Sequence, residues 1–334
     1  GRVGQFRAAP TRCELMDATQ KPLTRVDLIR LGCVGTLMGA AEVVPGVSGG
    51  TIAFISGIYE RLIFAIRQFT PSLLFTLARQ GIRSTWMQVD GNFLAVLFGA
   101  MFLSIVLFAS GIGWLLDNQP IAIWAFFFGL VVASIGVVGR QIGRFDAATL
   151  VSAMFGIAVG ALLVAVSPAN LEATPLLLFA GGAVAVCAWI LPGMSGSFIL
   201  LILGLYSGVL EAVRQFDLVS LAALGAGCAL GLMAFAQVLG ALLRAYRPQT
   251  VSLLTGFMIG SLLKLWPWQA VVAYQLKADG TTFPLVQEPV LPHAYEGMTG
   301  GEPQLMLAVV MAVLGAGLVI AVDLLSRKMA GSPG

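Results

Sequence analysis

Polar and apolar residues alternate along this chain in blocks, not residue by residue. After a polar, basic stretch over 1–25 come ten apolar segments, at about 26–44, 46–67, 92–116, 120–139, 147–167, 176–191, 193–213, 218–243, 249–266 and 304–326. Most have the length of a membrane-crossing helix, and none shows the short apolar–polar alternation of a barrel strand. An all-α integral membrane protein is predicted. In two places, at Pro45 and at Pro192, neighbouring segments join with no polar loop between them. Such a joint predicts a re-entrant hairpin, two half-helices that enter and leave the bilayer on one side.

The sequence around these joints is duplicated. Pro45-Gly46-Val47-Ser48-Gly49-Gly50 recurs 147 positions later as Pro192-Gly193-Met194-Ser195-Gly196-Ser197. Both copies run on to a Gly-x-Tyr, at Tyr59 and Tyr206, and eight of the fifteen positions from Pro45 to Tyr59 are identical at this offset. Further on, Gly129 aligns with Gly256 and Pro120 falls near Pro248, at an offset of about 127, because the first half carries roughly twenty extra residues around 68–91. The second half has its own insertion, 267–303. The chain therefore reads as five segments plus five: a tail over 1–25, a first repeat over 26–167 and a second over 176–326. An odd number of segments forces the second repeat to insert upside down, and this inverted repeat, with hairpins meeting near the midplane, is the architecture of many secondary transporters.

Composition agrees. Hydrophobic residues make up 58% and charged residues 10%, against about 25% charged in a soluble domain. The net charge of +3 points to no nucleic acid. Cys13, Cys33, Cys187 and Cys228 are scattered without a ligand spacing, so neither a metal site nor a disulfide framework is expected. Residues 1–25 have no apolar core, so no secretory signal is expected there. Charge then sets the orientation. Basic residues cluster in the tail, at Arg67, Arg79 and Arg83, at Arg140 and Arg144, at Arg244 and Arg247, and at Arg327 and Lys328; the alternate loops hold Asp117, Glu172, Asp279, Glu288, Glu296 and Glu302. By the positive-inside rule both termini are cytoplasmic and the 267–303 loop is external.

The paired motif supplies the candidate chemistry. Proline and glycine break a helix and free backbone N–H groups, which is tolerated at membrane depth only where the backbone is buried or lines a cavity. Those groups, with hydroxyls from Ser48, Thr51, Ser195 and Ser197 and the close approach that Gly46, Gly49, Gly50, Gly193 and Gly196 permit, make a candidate anion cradle. Glu42 lies three residues before Pro45 in apolar sequence, while its repeat counterpart is Trp189. An intramembrane carboxylate is a functional candidate, here for a coupling proton or cation or for the broken backbone. Glu60 and Arg61 follow Tyr59 and could pair with each other at the cytoplasmic end, although interface snorkelling is the favoured role for Arg61. Arg30 is placed to meet an anionic headgroup or to anchor the first helix, and Lys264, near Trp266 and Trp268, reads as an interface anchor. Gly46-Val47-Ser48-Gly49-Gly50 also fits a G-x-S-x-G nucleophile, but the only histidine, His293, falls in the external loop, so hydrolase chemistry lacks its base. No lysine follows either glycine run, so neither is a P-loop.

The residues from Gly39 through Glu42 and Pro45–Thr51 to Gly57-Ile58-Tyr59-Glu60-Arg61, with Leu191–Phe198 and Gly204-Leu205-Tyr206, resemble the polyprenyl-phosphate transporter (PopT-type) family. The resemblance covers about 25–326 and departs at Glu42, where Asp is expected. It implies a bacterial cytoplasmic-membrane protein that translocates undecaprenyl phosphate for carrier-lipid recycling. Moving that charge inward against the membrane potential makes coupling to an ion gradient the expectation, and neither a cofactor nor enzymatic activity is expected. The residues alone leave open a transporter or channel for small soluble anions, and a non-transporting envelope scaffold.

Overall fold

The computed structural model describes residues 24–44, 48–166, 171–276 and 282–330; Pro45, Gly46 and Val47 of the first motif, and Asp279, lie outside the described residues. Each apolar segment becomes a helix or a pair of helices. The first half holds α1 (Arg25–Glu42), α2 (Gly49–Ile55), α3 (Tyr59–Arg67), α4 (Pro71–Gln88), α5 (Gly91–Asn118), α6 (Pro120–Gly139) and α7 (Ala147–Ala165). The second holds α8 (Pro175–Ile190), α9 (Gly196–Ile202), α10 (Tyr206–Arg214), α11 (Leu218–Ala245) and α12 (Arg247–Ser261), then strands β1 (Gln269–Leu276) and β2 (Thr282–Pro289), α13 (Pro292–Thr299) and α14 (Leu305–Ala330). Local signals fix the starts. Thr24 and Asp27 form a capping box on α1, Asp146 and Thr149 on α7, and the Asp217 carboxylate accepts the Val219 and Ser220 N–H groups on α11. Proline sits in the first turn of α4, α6, α8 and α12.

The two halves repeat one geometry. The α2–α3 and α9–α10 pairs bend by 115° and 107°. The bends fall at Gly57 (φ 74°) and Gly204 (φ 73°), a left-handed conformation that glycine adopts freely. Beyond the bend, α5 and α11 are both 28 residues long. The joints that follow match as well: Gln119 has φ −137° and ψ 53°, Tyr246 φ −136° and ψ 49°. This equivalence preserves the 127-residue offset and superposes Pro120 on Arg247, one position from Pro248.

Packing follows the duplication. α1 lies on α5 as α8 lies on α11, whereas α6 packs on α14 and α12 on α7, so that the two halves interlock. Glycines set the distances. A Cβ on Gly129 or Gly315 would strike the Ala312 or Phe126 carbonyl of the facing helix, and one on Gly256 or Gly156 would strike the Ala153 or Leu253 carbonyl. These contacts equate Gly156 with Gly315, and with them α7 with α14. Helices α6 and α12 are central. Helices α5, α7, α11 and α14 turn large apolar side chains outward, among them Phe102 (70% exposed) and Met306 (82%), as a bilayer-facing surface requires.

Five helical stretches (91–118, 120–142, 147–165, 218–245 and 305–324) are long and apolar enough to cross a membrane, or seven if each bent pair counts as one span. α12, with 15 residues, is too short to count among them. One element departs from the all-helical expectation. Antiparallel β1 and β2 occupy the 267–303 insertion, held by the Trp266 indole donating to the Val290 carbonyl (2.8 Å) and that of Trp268 to the Pro303 carbonyl (2.7 Å). The extra residues around 68–91 form α4, broken at Gly81 (φ 79°).

Candidate functional site

The helix breaks bring the two motifs together. Ser48 caps α2 by accepting the Gly50 N–H at 3.0 Å, and its hydroxyl proton points across to the carbonyls of Trp189 (3.1 Å) and Leu191 (3.2 Å). The Gly193 N–H, freed by the second break, donates to Thr51 Oγ1 at 2.9 Å. Tyr59, at the head of α3, donates its hydroxyl proton to the Ile190 carbonyl at 3.1 Å. Three side chains of the first hairpin thus satisfy backbone groups that the second hairpin leaves without helical partners, as burial in an apolar core demands. Glycine is needed for the approach, since a Cβ on Gly50 would lie 2.7 Å from the Ile190 carbonyl oxygen.

Glu42 closes the first break. Its Oε1 accepts the Gly49 N–H at 2.6 Å, and the side chain of Trp189, its own repeat counterpart, lies beside the same carboxyl group. The carboxylate therefore serves the broken backbone directly.

The second motif is built differently. Ser195 stands in the N-cap position of α9 but makes no capping hydrogen bond; its hydroxyl pairs with that of Ser197 at 2.8 Å. Gly193 has φ 84°, and a Cβ there would meet Met258 Cα and Ser261 Oγ, both at 2.8 Å. Gly193, Met194, Ser195 and Phe198 line a cleft together with Gly160, Leu163 and Val164 of α7 and with Ser261 and Lys264 at the end of α12. Lys264 Nζ sits 5.1 Å above the Phe198 ring. Sequence reading expected Lys264 at the membrane interface beside the tryptophans. The 3-10 turn Leu262–Leu265 instead swings it back over α9, while Trp266 and Trp268 go to the β insertion.

The remaining candidates lie around this centre. Arg30 donates from Nη2 to the Ser56 carbonyl at 2.8 Å, at the foot of the first hairpin. Glu60 and Arg61 do not pair with each other, because successive helical residues point about 100° apart. Glu60 bridges to Arg247 at 2.8 Å, joining α3 to α12. Arg61 forks onto Asp90 at 2.6 and 3.1 Å and lies 4.5 Å over the Phe93 ring. Tyr206 heads α10 as Tyr59 heads α3, and is half-buried. Gln237 accepts from Arg67 Nε at 2.9 Å and donates to the Arg67 carbonyl at 2.7 Å. Asp323 is a second intramembrane carboxylate, 9% exposed in α14. Its signal was available, an acidic residue in an apolar run, but the nearby basic pair Arg327 and Lys328 masked it as a helix end. Among the described residues no group of acidic, histidine or cysteine side chains is placed to hold a metal.

Comparison with known proteins follows the same lines. Residues 38–283 match a family model described as VCA0040-like, undecaprenyl phosphate translocase-like. The chain is 42% identical over 294 residues to a polyprenyl-phosphate transporter of Vibrio cholerae, an alignment covering 88% of this chain and 96% of that protein. It is 29% identical over 262 residues to a polyprenyl-phosphate transporter of Staphylococcus aureus, covering 70% and 84%. No solved structure matches.

Proposed function

The chain belongs to the undecaprenyl phosphate translocase-like family, and from that premise we propose that it carries polyprenyl phosphate across the membrane through the paired broken hairpins. The observation that carries the reading is the hydrogen-bonded contact between the two breaks, Thr51 to Gly193 and Ser48 to Trp189 and Leu191. A transporter needs its site at the junction of the two halves, so that rocking one half against the other exposes that site to each side in turn.

In this reading the halves insert with opposite orientation, both hairpins are re-entrant, the termini are cytoplasmic and the membrane is the bacterial cytoplasmic one. The charge alternation along the chain supports this. The phosphate is received at the second motif, by Gly193, Ser195, Gly196 and Ser197 after Pro192. Ser48, Gly49, Gly50 and Thr51 form the opposing wall, with Tyr59 and Tyr206 at matching positions; Pro45 and Gly46 belong to the same motif but lie outside the described residues. The isoprenoid tail stays in the bilayer beside α7, whose outer face is apolar and exposed. Undecaprenyl phosphate is the proposed substrate, and inward transport is the proposed direction.

Moving a charged headgroup inward against an inside-negative potential costs about 2.3 kcal/mol per charge per 100 mV. Coupling to an inward proton or cation offsets this, and Glu42 is the candidate carrier because it touches both breaks, through Gly49 and Trp189. Arg30, Glu60 and Arg61 hold the surrounding helices in register.

The test is reconstitution of the purified protein in liposomes with labelled undecaprenyl phosphate. Protein-dependent movement between leaflets, faster with an imposed gradient, is expected. Leakage of small anions with no lipid movement would replace this reading by that of a channel.

A further inference from the structure

The duplication makes the charged residues of the core conspicuous, because they are not duplicated. The matched joints at Gln119 and Tyr246 place Lys264 opposite Val137, which is 5% exposed. The matched glycines 156 and 315 place Asp323 opposite Val164. Glu42 stands opposite Trp189. Each cation or carboxylate thus has an apolar counterpart in the other half. The lysine and the acids stand apart: the cleft at the second motif has a lysine and no acid, while Glu42 stands at the first motif and Asp323 in α14, which packs on α6.

Lys264 has a further peculiarity. Among the described residues its ammonium makes no ion pair and no hydrogen bond; Nζ lies over the Phe198 ring. An ammonium in a membrane protein's interior is costly unless a partner or a function retains it. The cleft it lines also presents the hydroxyls of Ser195 and Ser261, and Gly193 lets the backbone come close. A cation with three donors, beside two serines and with no competing carboxylate among the lining residues, has the chemistry to receive a compact dianion. The flanking helix α7 borders this cleft with Leu163 and Val164 and turns Leu162, 63% exposed, outward.

We propose that Lys264 is the fixed counter-charge for the phosphate monoester, binding it in the cleft between α7, the second hairpin and the end of α12. This rests on the transport reading above and adds a residue to it. The cation–π contact with Phe198 is the resting position of the ammonium, and the incoming phosphate draws it toward Ser195. In the orientation set by the charge alternation this cleft lies on the external side of the breaks, where inward transport begins.

Three proteins separate the possibilities in proteoliposomes carrying labelled undecaprenyl phosphate: the wild type, Lys264→Gln and Lys264→Arg. Lys264→Gln is expected to raise the half-saturating lipid concentration about tenfold or more, as loss of a charge-assisted hydrogen bond implies, with the maximal rate little changed. Lys264→Arg is expected to restore most of the affinity. Half-saturation of Lys264→Gln equal to wild type overturns the proposal, as does a fall in maximal rate alone, which is the mark of a structural role.

A second measurement uses the unmodified protein and decides the matter if Lys264→Gln does not fold. Acylation of the Lys264 amine, read by mass spectrometry, is expected to slow in the presence of undecaprenyl phosphate and not of undecaprenol. Equal rates with both lipids overturn the proposal. If the wild type protects Lys264 in this way but moves no lipid, the headgroup site stands and the transport reading fails.

Discussion

Thr51 is fully buried, and its hydroxyl oxygen takes the Gly193 N–H that the second helix break sets free. Thr51→Val keeps the shape and removes the acceptor. Stability is expected to fall by about 1–3 kcal/mol, the cost of a buried unsatisfied amide, measurable as a lower midpoint in thermal or denaturant unfolding in detergent. Glu42 calls for two substitutions. Glu42→Ala removes the acceptor for the Gly49 N–H and is expected to destabilise by a similar amount. Glu42→Gln retains an acceptor and is expected to fold. If the carboxylate carries a proton or cation, Glu42→Gln loses gradient-driven translocation while binding lipid as before. Wild-type rate with the same ion dependence would leave Glu42 with its backbone role alone.

Helix–helix distances in this protein rest on a few backbone contacts, and substitutions at those glycines should differ sharply from substitutions elsewhere. Gly129→Ala pushes a methyl group into the Ala312 carbonyl and should separate α6 from α14, at a cost of about 1–3 kcal/mol. Gly99→Ala in α5 has open space around it and should be neutral or slightly stabilising, by up to about 1 kcal/mol. Equal unfolding midpoints for the two variants would contradict the packing described. At the start of α11, hydrogen bonds from Ser220 and then Val219 hold the Asp217 carboxyl below its ordinary value of 3.8. A lowered value in the folded protein means that the cap stabilises above that pH and is lost as the pH falls through the folded-state value. Asp217→Asn should therefore flatten the acid limb of the stability profile without changing the neutral plateau's shape.

For the molecule as a whole, the claim most open to refutation is orientation. His293 in α13 and Arg144 before α7 are both exposed and sit on opposite sides in the proposed insertion. In a background lacking the native cysteines, His293→Cys should react with a membrane-impermeant maleimide on intact cells, and Arg144→Cys only after permeabilisation. The reverse pattern would invert the topology and place the Lys264 cleft toward the cytoplasm. The interlocked packing also bears on motion. Because α6 pairs with α14 and α12 with α7, a rocking half cannot be a contiguous stretch of sequence. A disulfide joining the first hairpin to the second should arrest transport, whereas one within the α7–α12 pair should not.

The sequence alone determined a good deal. The ten apolar segments, the two breaks and the 127-residue offset follow from short-range rules: a helix in lipid must be apolar over about twenty residues, and proline with glycine interrupts it wherever it stands. The motif also pointed at the anion chemistry, since broken backbone at membrane depth needs a reason. What the sequence left undecided depended on direction and distance. Glu60 and Arg61 are neighbours in the chain yet bond to Arg247 and Asp90, because adjacent helical side chains diverge. Lys264 looked like an interface residue because the tryptophans follow it, and only the 3-10 turn, the break at Gly193 and the packing of α7 on α12 bring it over Phe198 and beside Ser195. The β-hairpin in the 267–303 insertion, too, is fixed by the Trp266 and Trp268 side chains reaching carbonyls 24 and 35 residues away. Pairings over such separations are set by how helices pack, and local periodicity carries no information about them.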